Sequence, residues 1–221
     1  MCGRFVTMIP YEELKQLFDL TESSTRIEPK YNVAPAQQVS VVRSNGEHNV
    51  LTPMRWGLIP AWSKDASIAG HTINARCETV AEKPSFRHAI KYNRCIIPIS
   101  GFYEWSHSGG TKTPHYIYLT ENVPMSLAGI WEHWKAPDGG EMETFSIVTT
   151  TSNSLIQPLH DRMPVILQPA DCDLWLSKNV HNPHELTPLY QPYPADEMML
   201  HEVSRLVNNT RFDSPSCIEK V

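Results

Sequence analysis

The chain has 221 residues, of which 41% are hydrophobic and 19% charged, and its formal net charge is −5. This length suits one domain with a sizeable core, and the charge argues against a histone-like basic tail or a polybasic membrane anchor. The sequence has no run of 18 apolar residues and no apolar signal segment at its start, so we expect no membrane span.

The first predicted element is a helix over residues 10–20, in which Tyr11, Leu14, Leu17 and Phe18 form one apolar face. The middle of the chain predicts strands, because it contains short segments rich in β-branched and aromatic residues. These segments are 39–43, 51–59, 94–105, 115–119, 126–131 and 144–150. Trp56, in the second of them, is expected in the core.

Two further short helices are predicted. One spans residues 85–92, between strands, and the other spans residues 169–178, which open with a proline and turn Leu174 and Trp175 to the core. Strands with interspersed short helices and no βαβ alternation predict the α+β class, with a bent or barrel-like antiparallel β core and peripheral short helices.

No segment reads as a linker, so we expect a single domain over residues 1–221. The polar composition of residues 209–221 predicts a loose C-terminal tail. The five cysteines are odd in number, widely scattered and without a C-x-x-C pair, which argues against a disulfide framework and a zinc ribbon. They are Cys2, Cys77, Cys95, Cys172 and Cys217. We therefore expect free thiols in an intracellular protein, with no metal and no cofactor.

Cys2 has an unusual position, directly after the initiator Met1. We expect Met1 to be removed because the next side chain is small, and Cys2 would then carry an α-amine beside its thiol. Both groups have a nucleophilic fraction near neutral pH. The amine can condense with an aldehyde to a Schiff base, and the thiol can then close a thiazolidine ring, which no internal cysteine can do.

Eight segments accompany Cys2 in a fixed order. They are MCGRF at the start, YNVAP (31–35), RWGLIPAW (55–62), INARCET (73–79), RCIIPISGFYEW (94–105), AGIWE (128–132), FSIVTT (145–150) and HDRMPVIL (160–167). Together they resemble the SOS-response-associated peptidase (SRAP) family, whose members attach covalently to abasic sites in single-stranded DNA. The resemblance runs from residue 2 to about residue 167 and weakens after it.

The resemblance implies a set of site residues. The catalytic positions that match the family are Cys2, Asn74, Glu104 and His160, and the matching DNA contacts are Arg4, Arg76, Arg162, Trp62 and Thr149. Some relatives have a second tryptophan where this chain has Ser63. The resemblance further implies a DNA-damage role in the cytoplasm at the nucleoid, an abasic-site lyase side activity, and a peptidase activity limited to removing Met1. We expect a monomer.

The chemistry of these residue types fits such roles. Burial of Glu104 among aromatic neighbours would raise its pKa and make it a general acid or base for opening the sugar ring. His160 could take a proton during Schiff-base formation, and Asn74 could orient the N-terminus. Arg4, Arg76 and Arg162 all flank site residues, which predicts a local phosphate clamp close to Cys2.

Two other functions stay open from the sequence. An N-terminal-nucleophile glutamine amidohydrolase would also begin with Met-Cys-Gly and use the Cys2 thiol with its α-amine as base. A non-catalytic single-stranded DNA-binding module would bind with strong salt dependence, and Cys2 would be incidental.

Overall fold

The computed structural model describes residues 2–21, 27–108 and 110–221, and Met1, whose removal we expect, lies outside them. Three helices have the bounds α1 Tyr11–Phe18, α2 Ala89–Tyr92 and α3 Cys172–Leu176. The strands are β1 Phe5–Thr7, β2 Lys30–Val33, β3 Gln38–Ser44, β4 Asn49–Trp56, β5 Asn74–Arg76, β6 Arg94–Ile99, β7 Gly101–Ser108, β8 Thr111–Leu119, β9 Met125–Lys135, β10 Glu141–Thr151, β11 Arg162–Pro164, β12 Ile166–Leu167 and β13 Met198–Glu202. Short 3₁₀ turns connect several of them.

Five strands close into a barrel, in the order β10, β4, β3, β6 and β9, with β9 pairing back to β10. The predicted barrel-like core in an α+β domain is therefore confirmed. The core was predicted as antiparallel, and it departs from this at two pairings, because β10 runs parallel to β4 and to β5. Pairing with β10 places Asn74 opposite Ile147, which fixes β5 at the side of the barrel.

The second sheet has the order β13-β8-β7-β1-β2 and is antiparallel. Residues 94–105, predicted as one strand, divide between the two sheets, with β6 in the barrel and β7 in the second sheet. The chain crosses at Ser100, whose backbone N–H donates to the carbonyl of Val6 at 2.8 Å. At the next residue, a Cβ on Gly101 would lie 2.5 Å from the carbonyl oxygen of Ile117, so the close approach of the strands needs glycine.

The core has two main parts. One cluster joins barrel residues to the inner face of the second sheet and includes Cys2, Phe5 and Trp56. Trp56 is fully buried and donates from Nε1 to the carbonyl of Ile73 at 2.9 Å, which confirms it as a core residue. The other cluster packs the three helices on the barrel, through Phe18, Ile90 and Trp175 among others.

The helices are shorter than predicted. Helix α1 ends at Phe18 and buries Leu14 and Phe18, but Leu17 is 40% exposed because it lies at the edge of the face that these two residues define. Residues 85–88 form turns before α2. In α3, Trp175 is buried and Leu174 is exposed, so only one of the two predicted core residues faces the core.

The predicted loose tail, residues 209–221, is packed on the second sheet. The buried amide of Asn32 donates to the carbonyl of Phe212 at 2.7 Å, and Cys217 is fully buried. Lys220 also forms a β-bridge with Val203. The prediction was wrong because the polar composition reflects the outer surface of this segment, whereas its backbone carbonyls face buried donors. All five cysteines are free thiols. In the described part of the chain, no helix is long and apolar enough to cross a membrane.

Candidate functional site

Cys2 lies in the core next to the N-terminal strand, with its side chain fully buried. Its carbonyl oxygen accepts a hydrogen bond from Asn74 Nδ2 at 2.9 Å, across 72 residues of sequence. The other amide atom, Asn74 Oδ1, is buried and accepts no hydrogen bond from the described residues. Asn74 therefore fixes the backbone of Cys2 and keeps one acceptor available beside it.

Glu104 reaches the same place from strand β7 and is only 4% exposed. Its burial raises the pKa of the carboxyl from 4.5 to about 7, because the charged form loses its hydration. The pKa of the Cys2 thiol is raised to about 12, first by burial and then, as the smaller cause, by the nearby Glu104 carboxylate. The thiol is thus protonated at neutral pH, while the carboxyl beside it can give or accept a proton.

His160 follows a loop that leads into β11. Its Nδ1 accepts from the backbone N–H of Arg162 at 2.9 Å, and Asp161 Oδ1 lies 2.8 Å from the same nitrogen. Several causes lower the pKa of the His160 imidazole, and partial burial is the largest of them. Without a proton, Nδ1 accepts from Arg162; with a proton, it donates to Asp161. The two contacts thus correspond to two protonation states of this nitrogen.

An open cleft of about 460 Å³ gives access to Glu104 and His160. Its lining residues are Arg4, Glu104, Trp105, His107, Lys112, His160 and Asn208. The cleft therefore contains one carboxyl group among two cationic side chains and two imidazoles. Strand pairing sets His107 directly opposite Lys112 in the β7–β8 hairpin, which puts positive charge along one wall.

Arg4 forms another wall and is held in place by its neighbours. Its Nη1 donates to Asn32 Oδ1 at 2.7 Å and to the carbonyl of Val207 at 2.6 Å. The guanidinium carbon lies 5.9 Å from the ring centre of Trp105, whose Nε1 donates to Asn208 Oδ1 at 2.8 Å. The side chain is thus oriented before any ligand binds.

The three predicted clamp arginines have different surroundings. Arg76 is exposed on β5, on the same face as Asn74, since alternate strand residues share a face. Arg162 is 7% exposed and makes a bidentate pair with Glu78, at 2.5 and 2.9 Å. It also donates to the carbonyl of Thr149 at 2.6 Å. Only Arg4 of the three lines the cleft.

The remaining predicted DNA contacts differ in exposure. Trp62 is 61% exposed and donates from Nε1 to the carbonyl of Pro84 at 3.3 Å. Thr149 is fully buried, and its hydroxyl lies 3.4 Å from the carbonyl oxygen of Ala75. Thr149 and Arg162 therefore belong to the interior that supports β5 and β11.

Sequence reasoning missed four lining residues and one support. Trp105, His107, Lys112 and Asn208 line the cleft, and Asn32 holds Arg4. The available signal for Asn32 was its place in the YNVAP segment, to which no role was given. His107 and Lys112 show no signal of their own, because only the hairpin register sets them side by side. No group of three or more His, Cys, Asp or Glu side chains in the described ranges is arranged to hold a metal ion.

These features define a class: a single-domain α+β barrel protein that places an N-terminal thiol against a buried carboxyl group at an open cationic cleft. The chain belongs to the SRAP family, since the family model "SOS response associated peptidase (SRAP)" matches residues 1–210.

Three similar proteins illustrate the match. The abasic site processing protein YoqW of Bacillus subtilis is 42% identical over 222 residues, which cover 99% of each chain. The abasic site processing protein HMCES of Gallus gallus is 31% identical over 225 residues, covering 87% of this chain and 66% of its own. A crystal structure from Bacteroides thetaiotaomicron has a TM-score of 0.80 and 32% identity, covering 86% of this chain and 85% of its own.

Proposed function

We propose that this protein processes abasic sites in single-stranded DNA by attaching itself to the lesion through Cys2. The observation that carries the proposal is the grouping of Cys2, Asn74 and Glu104, of which Glu104 lines the cleft. Loss of Met1 would leave an α-amine at the residue whose carbonyl Asn74 holds. The relatives named for abasic site processing support the same lesion.

The reaction begins when the closed sugar opens to its aldehyde. The α-amine nitrogen then bonds to the aldehyde carbon, and water leaves as the Schiff base forms. The thiol adds to the same carbon through its sulfur and gives its proton to the nitrogen, which closes a thiazolidine. If the Schiff base eliminates the phosphate before this closure, the strand is cut, which is the lyase side activity.

Glu104 and His160 move the protons in this sequence. A carboxyl with a pKa of about 7 is present in both protonation states at neutral pH, so Glu104 can protonate the ring oxygen and later relay the thiol proton to the nitrogen. His160, with its lowered pKa, is an acceptor for the proton that leaves the amine. Asn74 Oδ1 accepts from the α-amine and holds it in line with the aldehyde.

Arg4, Arg76 and Trp62 contact the DNA in this proposal. Arg4 meets a phosphate in the cleft, Arg76 meets one on the neighbouring surface, and Trp62 stacks on a base. Arg162 and Thr149 contribute by holding the strands around the site. The protein acts as a monomer at DNA in the cytoplasm, and its peptidase activity is limited to removing Met1.

The test is a denaturing gel of the protein incubated with a single-stranded oligonucleotide that carries one abasic site. We expect a band that survives denaturation, its loss in Cys2→Ala, and its retention in the matched control Cys172→Ala. An equal band with undamaged oligonucleotide would refute the proposal, as would a persistent band in Cys2→Ala. The intact mass of the active protein should lack Met1.

The two alternatives give different results in the same protein preparation. A glutamine amidohydrolase would release ammonia from glutamine, and Cys2→Ala would abolish the release. A non-catalytic module would bind single-stranded DNA reversibly and leave no band after denaturation.

A further inference from the structure

A basic ridge lies outside the cleft, on the segment that ends in α2. Residues 83–92 include Lys83, Arg87 and Lys91 and no acidic residue, although the whole chain carries a net charge of −5. The backbone N–H of Arg87 donates to the carbonyl of Lys83 at 2.9 Å, so this part of the segment makes a helical turn. Spacing of four residues therefore puts these three cations along one side.

Aromatic rings run next to the cations. The rings of His88 and Tyr92 are 5.2 Å apart, and those of Tyr92 and His181 are 5.4 Å apart. Tyr92 is 47% exposed, which leaves part of its ring open to a further stacking partner. Lys178 Nζ donates to the carbonyl of Tyr92 at 3.0 Å and adds a fourth cation.

The acidic groups near this surface do not cancel its positive charge. Glu132 lies beneath His88, where its buried carboxylate is 2.7 Å from Nδ1. That contact occupies one nitrogen of His88. Among the described residues, neither Arg87 nor Lys91 makes an ion pair, although Lys91 lines the same cavity as Glu78 and Glu82. Glu82 is exposed but precedes the segment.

Backbone turns connect the candidate site to the basic ridge. Thr79 N donates to the carbonyl of Arg76 at 3.1 Å, and Lys83 N donates to the carbonyl of Thr79 at 3.0 Å. Consecutive turns thus lead from the exposed Arg76 to the basic segment. Trp62 borders the start of this segment through its contact with Pro84.

We infer that the surface formed by Arg87, His88, Lys91, Tyr92 and His181, called the distal ridge, binds the single strand that flanks the lesion. A row of cations beside a row of open rings matches a phosphate backbone beside its bases. This inference rests on the proposed function and extends it, because it gives the protein a second DNA contact away from the cleft.

The experiment measures binding of undamaged single-stranded oligonucleotides by fluorescence anisotropy over a range of salt concentrations. A short oligonucleotide that fills only the cleft is compared with longer ones extended on the 5′ or the 3′ side. Tyr92→Ala should weaken the binding of one of the two extended oligonucleotides, the one whose extension reaches the ridge, roughly 5- to 100-fold. Binding of the short oligonucleotide should stay unchanged. Arg87→Glu should reduce the slope of log K against log salt by about 0.7 for the same oligonucleotide.

Matched controls change similar side chains elsewhere. Lys220→Glu makes the same reversal of charge at an exposed position, and Leu17→Ala removes an apolar side chain of comparable exposure. Both should bind like the unmodified protein. If Tyr92→Ala melts at a lower temperature, Tyr92→Leu keeps the packing and removes only the aromatic face.

Equal weakening of the short and long oligonucleotides by the ridge variants would overturn the inference, and so would no weakening of either. Crosslinking to a short abasic oligonucleotide should stay at its normal level in Tyr92→Ala and in Arg87→Glu. If the unmodified protein makes no crosslink at all, the proposed chemistry fails, whereas the length-dependent binding still reports on the ridge.

Discussion

Replacing Glu104 by glutamine should stabilise the protein in a pH-dependent manner while slowing its reaction. The folded protein raises the pKa of this carboxyl from 4.5 to about 7 through burial. The folded state therefore prefers the neutral carboxyl, and ionising it costs stability. The cost is absent below pH 4.5, grows as the pH rises towards 7, and is complete above 7. Glutamine has nearly the same size and no charge at any pH.

The size of the effect follows from the two pKa values. They differ by about 2.5, and each pKa unit corresponds to about 1.4 kcal/mol, so the full cost is about 3.5 kcal/mol. For a domain of this length, 1 kcal/mol moves the melting temperature by about 2–4 °C. Glu104→Gln should therefore melt roughly 7–14 °C higher than the unmodified protein at pH 9 and at nearly the same temperature at pH 4.5.

Thermal unfolding of both proteins across this pH range is the assay, and crosslinking to an abasic oligonucleotide is measured alongside. Loss of the ionisable group should slow crosslinking at every pH. The reasoning is refuted if the difference in melting temperature is the same at pH 4.5 and pH 9, because the carboxyl would then carry no burial cost.

Two further substitutions test how the site is supported. Asn32→Asp puts a carboxylate oxygen where an amide now donates to the carbonyls of Val207 and Phe212. We therefore expect the free energy of unfolding in denaturant to fall by about 2–4 kcal/mol, and hydrogen exchange near residue 207 to become faster. Unchanged values in both measurements would contradict this. Gly101→Ala forces a Cβ to within 2.5 Å of a backbone oxygen and should cost about 1–3 kcal/mol in the same measurement, whereas Gly70→Ala, with open space around it, should cost much less.

Local patterns in the sequence were enough for individual elements. The apolar spacing of residues 11–18 predicts helix α1, and the β-branched segments locate most of the strands within a few residues. Trp56 reads as a core residue because it stands among apolar neighbours in a strand. These features depend on contacts within one element, and such contacts are visible in a short stretch of sequence.

Contacts between distant parts of the chain were not predictable in this way. Residues 94–105 read as one strand of largely apolar composition, and only the approach of β8 to Gly101 shows why the chain leaves the barrel there. The pair that Arg162 makes with Glu78, which lies 84 residues earlier, was not predictable either. The site residues themselves came from the family resemblance, since neither spacing nor composition relates Cys2 to Asn74 or Glu104.

The burial of Cys2 has a consequence for the newly made chain. Its core cluster includes Met163, Tyr193 and Met198, all of which are synthesised long after the N-terminus has left the ribosome. At 5–20 residues per second, roughly 10–40 s separate the translation of Cys2 from that of Met198. The N-terminus stays outside any completed core during this interval. We therefore expect Met1 to be trimmed on the ribosome, so that the finished fold encloses a cysteine already equipped with its amine.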